Sequence, residues 1–184
     1  MKFSRKDILT IPNLLSLLRL LMIPLFTGLY LHDYKGWTAA VLILSGLTDM
    51  VDGYIARRFD QVSDFGKAFD PVADKLTQAS MLLCLTTRYP AMLVPLILLV
   101  VKEIFAAIFS IIVIRRTGKI NGAEWHGKAV TMLLYVMMIL HVLWEDIPEW
   151  ASNTINIGCL AMMLLSLILY ARRNWKTFRS TAKL

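Results

Sequence analysis

The sequence predicts an all-α integral membrane protein: six transmembrane helices preceded by a short N-terminal interfacial helix, with both termini cytoplasmic. Three observations predict it. Of 184 residues, 57% are hydrophobic and the mean hydropathy is +0.59, far from the composition of a soluble domain. The apolar residues gather into runs near the 20 or so that a bilayer requires of a helix. Basic residues recur in alternate connections between those runs, as the positive-inside rule requires of a polytopic chain.

Each element follows in order. Phe3 to Ile11 mixes apolar and charged residues and stops at Pro12, the pattern of an amphipathic helix lying in the interface over residues 1–12. Lys2, Arg5, Lys6 and Asp7 precede the first apolar run without a small-residue cleavage site, so that run is expected as a retained helix rather than a removed signal. The six spans are expected near 14–31, 36–55, 72–87, 91–114, 129–144 and 155–170. Pro24 should kink the first. The third and fifth are short, and their ends should be extended by polar residues buried in protein. Residues 172–184 read as a basic cytoplasmic tail behind a core over 14–171. With no internal repeat and no long connection, the whole chain, 1–184, is expected as one membrane domain.

Charge sets the orientation. Arg57, Arg58 and Lys67 follow the second span, Arg115, Arg116, Lys119 and Lys128 the fourth, and Arg172, Arg173, Lys176, Arg179 and Lys183 the last, while Glu145, Asp146 and Glu149 fall on the opposite side. These loops account for the net charge of +7 and would attract anionic headgroups. They form no single basic patch in a soluble module, which excludes a nucleic-acid partner. Cys84 and Cys159 sit alone in apolar segments, as small buried hydrophobes do. His32 and His141 have no ligand spacing to a carboxylate, the Trp125-His126 pair reads first as an interfacial anchor and second as a substrate contact, and Trp144, Trp150 and Trp175 suit an aromatic belt.

The chemistry gathers between positions 49 and 74: Asp49-x-x-Asp52-Gly53-x-x-Ala56-Arg57, then Gly66-x-x-x-Asp70-x-x-x-Asp74. Charge beside apolar spans is expensive and marks function by default. Asp49 and Asp52 are three apart and Asp70 and Asp74 four apart, so on helices each pair projects from one face. A short, charged connection lets the two faces meet. Four converging carboxylates repel strongly at reduced dielectric unless a proton or a hard cation intervenes, and Mg2+ or Mn2+ suits their oxygens. Gly53 and Ala56 keep one helix face low for close approach of a planar or phosphorylated ligand, and Arg57 offers a planar cation for phosphate. Singly, each residue has a plainer explanation: helix capping by the aspartates, snorkelling by the arginines, helix packing by the glycines. Those explanations do not account for the residues occurring together at this spacing.

The complete pattern resembles the signature of the CDP-alcohol phosphatidyltransferases, D-x-x-D-G-x-x-A-R, eight intervening residues, then G-x-x-x-D-x-x-x-D, and the six-span pattern extends the resemblance to nearly the whole chain. It implies a six-helix fold, usually homodimeric, opening at the cytoplasmic interface. It also implies that Asp49, Asp52, Asp70 and Asp74 organise two divalent ions, that Asp74 is the general base, and that Gly53, Ala56, Arg57 and Gly66 help hold the CDP moiety. The acceptor hydroxyl would attack the β-phosphorus of CDP-diacylglycerol, transfer phosphatidate and release CMP.

The segments Asp70-Pro71-Val72-Ala73-Asp74-Lys75 and Ile11-Pro12-Asn13-Leu14-Leu15-Ser16-x-x-Arg19 look like the phosphatidylglycerophosphate and cardiolipin synthase branch. Arg19 either pairs with the acidic cluster or lines a polar interior; within a membrane it needs a partner in both cases. Glycerol 3-phosphate is the favoured acceptor and phosphatidylglycerol the alternative. Synthases that use the former typically carry an Arg-Glu pair on the fourth span, an arginine eight residues later and a Gly-Lys step before the fifth. Here Lys102-Glu103, Ser110 and Gly127-Lys128 stand in those places, so a bidentate fork and one charge are lost. Lys102, Lys128 and Arg115 are the candidate acceptor cations. A cation transporter is the alternative from another class, and it would place acids at mid-depth on broken helices. The short chain without a transit peptide points to a bacterial plasma membrane.

Overall fold

The computed structural model describes residues 10–58, 64–117 and 125–181. Among them the chain forms α1 (Ile11–Leu31), α2 (Lys35–Arg58), α3 (Asp64–Thr86), a 3-10 turn (Pro90–Met92), α4 (Leu93–Thr117), α5 (Trp125–Leu143) and α6 (Glu149–Thr181), with no strand. The interfacial segment expected over residues 1–12 lies almost wholly outside the described residues. Four helices are long and apolar enough to cross a membrane: Ile11–Leu31, Pro90–Phe109, Trp125–Leu143 and Glu149–Arg173. Helices α2 and α3 have comparable lengths of 24 and 23 residues and carry the signature carboxylates.

Each helix runs past its expected limits at one end or both, α3 and α6 by the most. α3 begins at Asp64 rather than near residue 72, so Gly66, Asp70 and Asp74 all lie on continuous helix, through Pro71. A backbone entering an apolar phase must satisfy its own hydrogen bonds, which favours extending the helix over ending it. α6 runs on to Thr181, making most of the expected tail helical, because neither glycine nor proline occurs after Gly158. α1 likewise passes through Pro24 as one helix.

The chain divides into two compact units. The first holds α1, α2, α3 and Met138–Asp146. Thr10, with extended backbone, caps α1 by accepting from the Asn13 N–H at 3.4 Å, and Pro12 occupies the first turn, where its missing N–H costs nothing. α1 packs against both α2 and α3. Its inward stripe is Asn13, Ser16, Arg19, Met22, Phe26 and Tyr30, while Leu14, Leu17, Leu18, Leu21 and Leu25 are exposed. That division, polar at the inner end of the stripe and leucine outside, suits a helix whose solvent is hydrocarbon. Residues 32–34 turn the chain directly into α2, with Asp33 at φ 66°, a left-handed conformation that Asp tolerates better than most residues.

At that turn Arg88 donates to Asp33 at 2.6 Å and lies over the Tyr30 ring at 5.2 Å, Lys35 pairs with Glu145, and Tyr89 meets His141 edge-on at 5.1 Å. The guanidinium of Arg88 holds the Asp33 carboxyl below its ordinary value of 3.8, and the Glu145 hydrogen bond raises Lys35 above 10.5. Because a helix rises 1.5 Å per residue, the fourteen residues from Lys35 to Asp49 put about 20 Å between this cluster and the first signature carboxylate.

In the second unit α4 packs against α6, and the buried apolar residues include Met92, Leu99, Val130, Leu134, Cys159 and Met163. His126 is buried, with Nδ1 2.9 Å from Ser166 Oγ and its ring edge-on to Tyr170 at 4.7 Å. The Trp125–His126 pair is therefore split: Trp125 is exposed, as an anchor should be, and His126 belongs to the interior. Cys84 and Cys159 are buried and in no disulfide, as expected of small apolar residues.

Candidate active site

The signature is assembled at the end of the first unit where α1 and α3 begin and α2 ends. Asp49 lies on α2; Gly66, Asp70 and Asp74 lie on α3. Of these Gly66 and Asp74 are buried, and Asp49 and Asp70 are partly exposed. The side chains of Asp52, Gly53, Ala56 and Arg57, all on α2, lie outside the described residues, as does that of Arg115 on α4.

Each described signature carboxylate has a polar or charged partner. Arg19, completely buried on α1, places Nη1 2.8 Å from Asp49 Oδ1. This settles the choice left open by the sequence: Arg19 pairs with the acidic cluster. Ser16, one turn earlier and also completely buried, donates to Asp70 Oδ1 at 2.6 Å. The same hydroxyl stands 3.2 Å from the Pro12 carbonyl, but it has one proton, and the shorter, charge-assisted contact is the stronger acceptor. Asp74 is held from its own helix: Gln78 Nε2 donates to Oδ1 at 2.8 Å, and Lys75 Nζ sits 3.0 Å from Oδ2. Asp49 also feels the charges of Asp74 and Lys75, so the carboxylates of α2 and α3 are within electrostatic reach of each other.

This donor set suits a hard divalent cation. It consists of carboxylate oxygens, with two like charges close enough to repel, and their orientations are fixed by neutral or cationic neighbours in the manner of an outer coordination shell. Among the described residues no three Asp, Glu, His or Cys side chains gather tightly enough to form a metal group; the fourth carboxylate, Asp52, lies outside them.

The acceptor candidates belong to the second unit. Lys102 is buried on α4 and pairs with Glu103 at 2.7 Å; with Phe105, Phe109, Leu167 and Tyr170 it lines a small apolar groove between α4 and α6. Lys128 is exposed on α5, next to Gly127, where a Cβ would stand in tight contact, 3.1 Å from the Tyr170 hydroxyl.

Sequence reasoning missed Gln78, although its spacing of four from Asp74 on a helix was a readable sign. It named Ser16 and Lys75 only as parts of branch motifs.

The sequence profile of the CDP-alcohol phosphatidyltransferases matches residues 9–172. A CDP-diacylglycerol–glycerol-3-phosphate 3-phosphatidyltransferase of Aquifex aeolicus is 30% identical over 174 residues, covering 91% of this chain and 97% of that protein. A cardiolipin synthase (CMP-forming) of Streptomyces coelicolor is 37% identical over 153 residues, covering 79% of this chain and 70% of that one. A cardiolipin synthase (CMP-forming) / mitochondrial hydrolase fusion protein of Schizosaccharomyces pombe is 46% identical over 84 residues, 46% of this chain but only 14% of the fusion's length. With the profile spanning both units and the whole signature, the chain belongs to the CDP-alcohol phosphatidyltransferase family.

Proposed function

We propose that this protein transfers phosphatidate from CDP-diacylglycerol to an alcohol in phospholipid biosynthesis, releasing CMP, and that the alcohol is sn-glycerol 3-phosphate. The observation that carries the reaction is the complete signature within a family match over residues 9–172. The acceptor rests on the end-to-end similarity to the Aquifex aeolicus phosphatidyltransferase. Asp74 accepts the proton of the acceptor hydroxyl; the new oxygen–phosphorus bond forms at the β-phosphorus as the bond to CMP breaks. Gln78 and Lys75 fix the plane of the Asp74 carboxylate, and Arg19 and Ser16 do the same for Asp49 and Asp70. Arg57, Gly53, Ala56 and Gly66 accommodate cytidine and phosphate. Mg2+ or Mn2+ held by Asp49, Asp52, Asp70 and Asp74, two ions in all, would neutralise the diphosphate and the departing CMP. Lys102, Lys128 and Arg115 are the proposed acceptor cations.

In this reading the chain is one membrane domain with six spans. α2 and α3 join the four apolar helices, both termini and the site face the cytoplasm, and the protein works as a homodimer in a bacterial plasma membrane. The basic residues at the end of α2 (Arg57, Arg58), at the end of α4 (Arg115, Arg116) and at the end of α6 support that orientation. The continuity of α2 past Asp49, and of α3 past Asp70 and Asp74, does not suit the broken helices expected of a cation transporter.

Phosphatidylglycerol is a second acceptor with a specific observation in its favour. The Streptomyces coelicolor cardiolipin synthase is 37% identical over 79% of the chain, and Lys102 and Ser110 replace two arginines of the glycerol-phosphate pattern. A phosphodiester bearing a single charge needs fewer cations. Offering the purified protein CDP-diacylglycerol with both acceptors separates them: phosphatidylglycerophosphate is the expected product, and cardiolipin as sole product would reassign the acceptor.

A further inference from the structure

We infer that the buried polar face of α1, through Ser16 and Arg19, is a positioning element that sets the geometry of the carboxylates on both α2 and α3. The inference deepens the proposed function and rests on it. Ser16 and Arg19 are three residues apart, hence neighbours on one helix face, and neither has any exposed surface. From that face Arg19 reaches Asp49 at 2.8 Å on one helix and Ser16 reaches Asp70 at 2.6 Å on the other. The two halves of the signature, 21 residues apart from Asp49 to Asp70, are thus referenced to a single rigid helix.

The residue types are costly for any lesser purpose. A buried guanidinium within a membrane helix bundle needs an opposite charge or carbonyl partners, and a leucine would pack there at lower desolvation cost. A serine whose hydroxyl already has a carbonyl within 3.2 Å on its own helix does not require a carboxylate to be satisfied. What the pair provides is orientation. Arg19 engages one oxygen of Asp49 and Ser16 one oxygen of Asp70, which limits how each carboxylate rotates. A cation seeking several carboxylates at once is sensitive to that rotation, and partners of this kind typically alter metal affinity or activity by about 10–100-fold. Arg19 therefore acts through Asp49 and Ser16 through Asp70, as positioning residues rather than as groups that touch substrate.

The test measures Mn2+ binding to the purified full chain by electron paramagnetic resonance, alongside CMP release, for the native sequence, Arg19→Gln, Arg19→Lys, Ser16→Ala and Asp70→Asn. The expected result is about 10-fold or greater weakening of Mn2+ binding in Arg19→Gln and a smaller weakening in Ser16→Ala, with the folded protein recovered. Arg19→Lys, which keeps the charge and loses the planar fork, should restore part of the affinity. Native-like Mn2+ affinity in both Arg19→Gln and Ser16→Ala, with binding still lost in Asp70→Asn, would overturn the inference and leave the metal site standing. Native protein without Asp70-dependent Mn2+ binding would overturn both. If Arg19→Gln yields no folded protein, Ser16→Ala, which removes one hydroxyl, decides: native affinity there overturns the inference.

Discussion

Asp74 is the residue on which the proposed chemistry turns, and both of its oxygens are engaged from its own helix, by Gln78 and Lys75. The Gln78 contact is the more confining, because the amide is completely buried whereas Lys75 is partly open. Replacing Gln78 by Leu should leave the fold in place and lower kcat by about 10-fold or more, with KM for CDP-diacylglycerol changed far less. A steady-state comparison checks this; equal loss through KM would mean that Gln78 serves binding instead. Asp49, Asp70 and Asp74 were legible in the sequence as one cluster, because charge in an apolar run stands out; Asp52, the fourth acid expected with them, has its side chain outside the described residues. Their partners were less legible. Ser16, Arg19 and Gln78 are each one polar residue among many, and only the packing of α1 against α2 and α3 shows which acid Ser16 and Arg19 face.

The helices themselves were read well in number and poorly in extent. Six helices were expected and six are present among the described residues, four of them long and apolar enough to cross a membrane, the length of apolar run that hydropathy reads best. It started α3 eight residues late, at Val72 rather than Asp64, because a stretch as polar as Asp64-Phe65-Gly66-Lys67 looks like a loop to a hydropathy scale. At the start of α5 a different constraint operates. Gly127 sits under Tyr170, where an added Cβ would lie 3.1 Å from the hydroxyl oxygen and 4.0 Å from the next ring atoms. Ala normally improves on Gly in a helix by up to about 1 kcal/mol. Gly127→Ala should forfeit that gain with Tyr170 present and recover it in a Tyr170→Phe background, where the close oxygen is gone. A double-mutant cycle on thermal unfolding measures the coupling; additivity within about 0.3 kcal/mol would refute the contact.

For the molecule as a whole, chemistry and anchoring are separated along the first unit, with carboxylates at one end and the Asp33, Lys35, Arg88 and Glu145 pairs at the other. Asp33 has a lowered folded pKa, so its contribution to stability is present above its ordinary value of 3.8 and is lost as pH falls through the lowered value. Lys35 has a raised one, so its contribution is present below 10.5 and is lost as pH rises through the raised value. Asp33 is exposed and Lys35 only partly covered, which keeps the effects modest and salt-sensitive. Thermal unfolding from pH 7 to about 3 should therefore fall less steeply in Arg88→Gln than in the native chain, and equal slopes would remove Arg88 as the cause. The family was legible from the spacing of eight residues between 49 and 74, whereas the acceptor was not, since Lys102 and Ser110 preserve part of one branch's charge pattern without completing it. The most direct test of the central claim is CMP release from CDP-diacylglycerol by the purified protein with and without Mg2+, set against Asp74→Asn. Release that requires the metal and falls by about 100-fold or more in the variant is the predicted result; release by a folded Asp74→Asn protein at the native rate would contradict it.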